Sequence, residues 1–98
     1  MMKEIYVDHA ATTYVRDEVL ETINKYFKEE YGNPGSFHTI GLRNKKVVQD
    51  SREKVRELIN AKNPKEIIFT GSGTESVNLA IKGITEKHKS GHIITSTI

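Results

Sequence analysis

The stretch IIFTGSGTESVNLAI, residues 67–81, constrains the fold more than any other part of the chain. The apolar run at 66–70, with β-branched and aromatic side chains, reads as a short strand. It stops at Gly71-Ser72-Gly73, and from about Thr74 the residues Val77, Ala80, Ile81 and Ile84 recur at helical spacing. A strand that runs through glycines straight into a helix is a building block of α/β folds. Gly71 and Gly73 are expected to permit positive φ and a close approach of backbone to ligand. The first turn of a helix leaves backbone N–H groups without internal partners, and the helix dipole adds positive character there. Such a junction suits an anion. The hydroxyls of Ser72, Thr74 and Ser76 offer further donors, while Ser72 or Thr74 serves equally well as a plain helix cap.

Two known phosphate loops can be weighed against these residues. A Walker A loop needs Lys followed by Ser or Thr after its second glycine, and no lysine follows Gly73. A dinucleotide fingerprint needs a third glycine where Ser76 stands. It also needs an acidic residue about 20 positions on, and HIITSTI at 92–98 has none. A non-enzymatic phosphate or dinucleotide-binding module stays as an alternative.

The rest of the chain frames this junction. Residues 4–9, EIYVDH, read as a short strand or extended arm. From Asp17 the residues Val19, Leu20, Ile23, Tyr26 and Phe27 predict a helix ending near Tyr31, where Gly32, Asn33 and Pro34 are stop signals. YGNPGSFH, 31–38, is a loop with a turn defined by Pro34, which fixes its own φ and moves Asn33 away from helical values. A second helix is predicted from about Ile40 to Asn60, with Val47, Val48, Ser51, Val55, Leu58 and Ile59 on one face. A turn and a last extended run, HIITS at 92–96, close the sequence. No cap or further helix follows it, so a truncated chain is expected.

Composition narrows the function. With 98 residues and a net charge of +2, nothing points to nucleic acid or to an anionic membrane surface. No apolar run approaches the roughly 18 residues of a membrane span, and MMKEIYVDH lacks a signal-peptide core. A cytoplasmic protein is expected. Cysteine is absent, which removes disulfides, thiolate metal sites and a cysteine nucleophile from this chain. His9 and His38 have no third ligand near them in sequence, a poor basis for zinc, and no metal is expected. His88 and His92 flank a turn and read as surface residues.

Taken together, YVDHAATT at 6–13, YGNPGSFH at 31–38, EIIFTGSGTESVNLAIKG at 66–83 and HIITS at 92–96 resemble the start of the cysteine desulfurases, pyridoxal-phosphate enzymes of the class V aminotransferase group. The resemblance covers essentially the whole chain. It implies an α/β fold: an extended arm over 1–15, then the helices and first strands of a transferase large domain over 16–98, truncated. In that domain the strands matched by 66–70 and 92–96 lie apart, with later strands between them. A chain of this length alone is then expected to leave Val77, Ala80, Ile81 and Ile84 partly uncovered.

The resemblance also implies a chemistry: conversion of L-cysteine to L-alanine and an enzyme persulfide that feeds iron–sulfur cluster assembly or other sulfur delivery. The cofactor is pyridoxal 5′-phosphate, whose phosphate would sit at Gly73 and Thr74. Ala11 and Thr12 fall where the family's segment approaches substrate, and Asn33 and His38 in a loop near the neighbouring subunit of a homodimer. For each of these four, a strand end or rigid turn is the competing reading. The Schiff-base lysine, the aspartate at the pyridine nitrogen, the stacking histidine and the nucleophilic cysteine match nothing in this chain, which is therefore expected to be inactive alone. Implied partners are the cysteine substrate and a sulfur acceptor or iron–sulfur scaffold protein. A selenocysteine lyase, another class V aminotransferase, or a fragment that only docks on a full-length partner are the alternatives.

Overall fold

Three α-helices carry the structure, a computed structural model that describes residues 2–88 and 90–98. They are α1 (Asp17–Lys28), α2 (Thr39–Leu58) and α3 (Gly73–Lys87), with one 3₁₀ turn, Pro64–Glu66, between α2 and α3. The helix α1 begins with Asp17 and Glu18 and ends with Lys25 and Lys28, so its charges complement the helix dipole at both ends. It stops a few residues before Tyr31, where the amides of Glu29 and Glu30 both close on the Lys25 carbonyl. His38 caps α2 by accepting the Gly41 amide on Nδ1 at 3.2 Å. Beyond the other end of α2, Asn60 takes φ 56°, the left-handed value that commonly terminates a helix.

The α2 helix and the 3₁₀ turn are the one pair of elements that pack together among the described residues. Asn63 Oδ1 accepts from Lys65 N at 2.9 Å and starts the turn. Arg56 donates to the Ala61 carbonyl at 3.0 Å and draws the connection back along α2. Ile67, 7% exposed, is the buried apolar residue of this unit. Arg52 of α2 donates to the Ile67 carbonyl and lies against the Phe69 ring, 4.9 Å from its centre.

The expected α/β architecture is not what the structure shows. Among the described residues there is no β-strand, and the runs at 4–9, 67–70 and 92–96 have no regular secondary structure. The reason is physical. An extended run becomes a strand only when a neighbour at about 4.7–4.9 Å completes its ladder of backbone hydrogen bonds. No backbone hydrogen bond joins these three runs. The 67–70 run is held instead by the Arg52 side chain, by Ile67 N on the Pro64 carbonyl and by Thr70 Oγ1 on the Ser72 carbonyl.

The surface reflects this. A compact chain of 11.1 kDa would expose about 5,700 Å², whereas this one exposes 9642 Å². Its radius of gyration is 18.8 Å against about 13 Å for a compact domain of the same length. The apolar stripe of α1 (Val19, Leu20, Ile23, Phe27) and that of α3 (Val77, Ile81, Ile84) are exposed. Each helix has the pattern that asks for a partner, and the described residues provide none.

Candidate functional site

The junction at 70–76 is built by side chains closing on their own backbone. Ser72 is extended and caps α3, with Oγ accepting from Glu75 N at 3.1 Å. Glu75 in turn reaches back, and its Oε2 accepts from Gly71 N at 2.7 Å. This is a capping box shifted by one residue, since the carboxylate takes the amide before the cap. Thr70 Oγ1 donates to the Ser72 carbonyl at 3.0 Å and also meets the Ser76 hydroxyl. Ser76 Oγ shares the Ser72 carbonyl at 3.2 Å. Asn78 Nδ2 donates to the Thr74 carbonyl at 2.9 Å, one turn along.

These contacts leave a defined set of groups unused. Among the described residues, no acceptor faces the amides of Ser72, Gly73 and Thr74, and the Thr74 hydroxyl has no partner. Gly71 and Gly73 are free to take positive φ, and neither does; Gly32 is the glycine that does. A Cβ at Gly71 would meet Glu75 Oε2 at 3.2 Å, but one at Gly73 would meet nothing within 4 Å. Neither packing nor backbone angle therefore explains glycine at 73. Three adjacent free N–H donors, one hydroxyl and an open face beside a helix N-terminus fit a phosphate, and so fit the phosphate of pyridoxal 5′-phosphate.

The other candidate residues are occupied in their own loops. Ala11 N and Thr12 N close on the Asp8 carbonyl at 3.1 and 3.4 Å, and Tyr6 OH spans to the carbonyls of Asp8 and Thr12 at 2.9 and 2.8 Å. His9 Nδ1 pairs with Thr13 Oγ1 at 2.9 Å. Asn33 Oδ1 accepts from Gly35 N at 2.8 Å, the side-chain turn expected of Asn before Pro-Gly. His38 is the α2 cap, with Nδ1 acting as an acceptor. No hydrogen bond or ion pair among the described residues links 6–13 or 33–38 to 70–76, so the structure does not assemble the candidates into one site.

Sequence reasoning passed over Glu75, Gly41, Asn44 and Arg52. Glu75 was legible, because Ser72-Gly-Thr-Glu75 is the Ser-x-x-Glu signature of a capping box. Gly41 and Asn44, both buried, lie on the α2 face that continues to Val48 and Val55 at three- and four-residue steps. Asn44 Nδ2 donates to the Gly32 carbonyl at 3.0 Å and ties α2 to the preceding loop. Arg52 had no local signal, since its partner is 15 residues away.

The chain can also be compared with known proteins. The chain matches the family "Aminotransferase class-V" over residues 5–98. It is 46% identical over 100 aligned residues to "Cysteine desulfurase IscS" of Dictyoglomus turgidum, covering 100% of this chain and 25% of that protein. It is 45% identical over 98 residues to the protein of the same name from Methanosarcina thermophila, covering 98% of this chain and 24% of that one. A "Probable cysteine desulfurase, mitochondrial" of Dictyostelium discoideum is 45% identical over 95 residues, covering 94% and 21%. The chain thus spans about a quarter of the length of the curated relatives it matches. No solved structure matches it. No helix among the described residues is long and apolar enough to cross a membrane. With the family match spanning nearly every residue, the chain belongs to the class-V aminotransferase family.

Proposed function

We propose that this chain supplies the phosphate-holding turn of a pyridoxal-phosphate-dependent cysteine desulfurase, which converts L-cysteine to L-alanine and an enzyme-bound persulfide. The observation that carries the reading is the unused donor set at Gly73 and Thr74, set beside relatives named as cysteine desulfurases. Pyridoxal phosphate, when bound, supplies an electron sink that weakens bonds at the carbon bearing the substrate amino group. The residues of this chain bind and orient. The amides of Gly73 and Thr74 and the Thr74 hydroxyl hold the phosphate, and the helix dipole of α3 favours its charge. Glycine at 73 lets the phosphate oxygens reach the backbone without meeting a side chain. The persulfide sulfur must rest on a thiol outside this sequence, which has no cysteine.

Ala11, Thr12, Asn33 and His38 belong to the same reading as parts of the substrate and subunit contacts, held ready by the turns described above. It also includes a homodimer, a sulfur acceptor or iron–sulfur scaffold protein as partner, and a cytoplasmic location.

Pyridoxine 5′-phosphate tests the turn, because it carries ring and phosphate without the aldehyde that would react with lysines. Titrated into the ¹⁵N-labelled chain, it is expected to shift the Gly73 and Thr74 amides, while pyridoxine leaves them in place. Equal responses to the two compounds, or none, would remove the phosphate assignment.

A further inference from the structure

We infer that Glu75 is a positioning residue of the phosphate turn: it fixes which backbone amides are left for the phosphate. The inference rests on the phosphate reading of Gly73 and Thr74 given above and adds a role for a residue which that reading does not use.

Four consecutive amides, Gly71 to Thr74, lie in the turn ahead of the first intrahelical bond, that from Ser76 N to the Ser72 carbonyl. Gly71 N is taken by Glu75 Oε2 at 2.7 Å, a charge-assisted bond of short length. The same residue's amide is held by Ser72 Oγ at 3.1 Å. Glu75 is therefore anchored at both its backbone and its side chain, and it bridges the last extended residues to the first turn of α3. A carboxylate on Gly71 N excludes a phosphate from that amide by charge and by occupancy. The free donors are then confined to the helix side of the turn, where Gly73 leaves open space. Without the bridge, Gly71 N becomes a fourth free donor and the run at 67–70 loses its carboxylate tie to α3.

A carboxylate beside a phosphate site is electrostatically unfavourable, which makes the prediction specific. If Glu75 acts through its hydrogen bond, an uncharged side chain with the same acceptor should do as well or better. The test uses the 98-residue chain, pyridoxine 5′-phosphate as the probe and ¹⁵N amide shifts as the readout. In Glu75→Ala the affinity is expected to fall about tenfold, the scale of one lost hydrogen bond, and the response is expected to spread to Gly71. Glu75→Gln is expected to bind at least as tightly as the wild type, with Gly71 unmoved. Circular dichroism reports whether α3 stays helical; if the alanine variant loses α3, the glutamine variant alone decides. Wild-type behaviour in Glu75→Ala with α3 intact overturns the inference, and so does alanine-like loss in Glu75→Gln. A wild-type chain that ignores the probe would instead sink the phosphate reading itself, an outcome distinct from either.

Discussion

Gly41 and Gly73 occupy similar places and do opposite things. Each lies in the first turn of a helix, after a loop rich in turn-forming residues. A Cβ on Gly41 would stand 2.4 Å from the Ser36 carbonyl oxygen and 2.8 Å from that of Asn33. In the same loop, a Cβ on Gly32 would stand 2.5 Å from Ile40 Cγ2, at a φ of +157°. At Gly32 and Gly41 the protein itself fills the space a side chain would need. The space beside Gly73 is empty. One loop is closed by its own packing, with Asn44 reaching back to Gly32 across 12 residues. The other closes by contacts of at most six residues' separation and turns its remaining donors outward. The contrast separates a glycine whose place is already filled by its own protein from one that borders open space.

The largest expected effect comes from attacking the packed loop. Gly41→Ala drives a methyl group into two backbone carbonyls, and overpacking of that kind costs about 1–3 kcal/mol. Hydrogen exchange of the amides in the first two turns of α2 should accelerate, while those of α3 stay unchanged. A change spread evenly over both helices would mean that the two regions are not independent.

A smaller effect is expected at the cap of α3. Ser72→Ala removes the acceptor of Glu75 N, and loss of such a cap costs about 1 kcal/mol. Exchange at Ser76 and Val77 should quicken, with α2 and its loop untouched. Unaltered exchange there would show that Glu75 alone holds the turn.

The two regions also differ in how far the sequence disclosed them. All three helices were legible, because apolar residues at helical spacing need only the chain itself to act. Their ends were read to within a few residues, as the overshoot of α1 to Tyr31 shows. The turn at Asn33-Pro34-Gly35 was legible for the same reason, since Asn33 Oδ1 and the fixed φ of proline act locally. The buried Gly41 and Asn44 escaped, because what they touch lies in the preceding loop and not in the helix pattern. The strands failed on a different count. Ile67, Ile68 and Phe69 have strand composition, yet composition cannot supply the neighbour that a ladder requires. Gly73 and Thr74 were singled out for a glycine-rich junction before a helix, and the structure does put Gly73 and Thr74 at the start of α3. Their turn needs no positive φ, and the interest of Gly73 lies in what is not next to it.

The smallest effect on the fold should carry the largest effect on binding, and it comes from Gly73→Ala. The backbone at 73 is helical with no positive φ, so alanine is accepted there and stabilises by about 0.4–1 kcal/mol through the unfolded chain. Its methyl group stands in the open space assigned to the phosphate. The decisive measurement is a titration of the wild-type chain and Gly73→Ala with pyridoxine 5′-phosphate, following the Thr74 amide and the helicity of α3 together. The account predicts full α3 helicity in both chains, a Thr74 shift in the wild type, and its loss in the variant. An undiminished Thr74 shift in Gly73→Ala would contradict it.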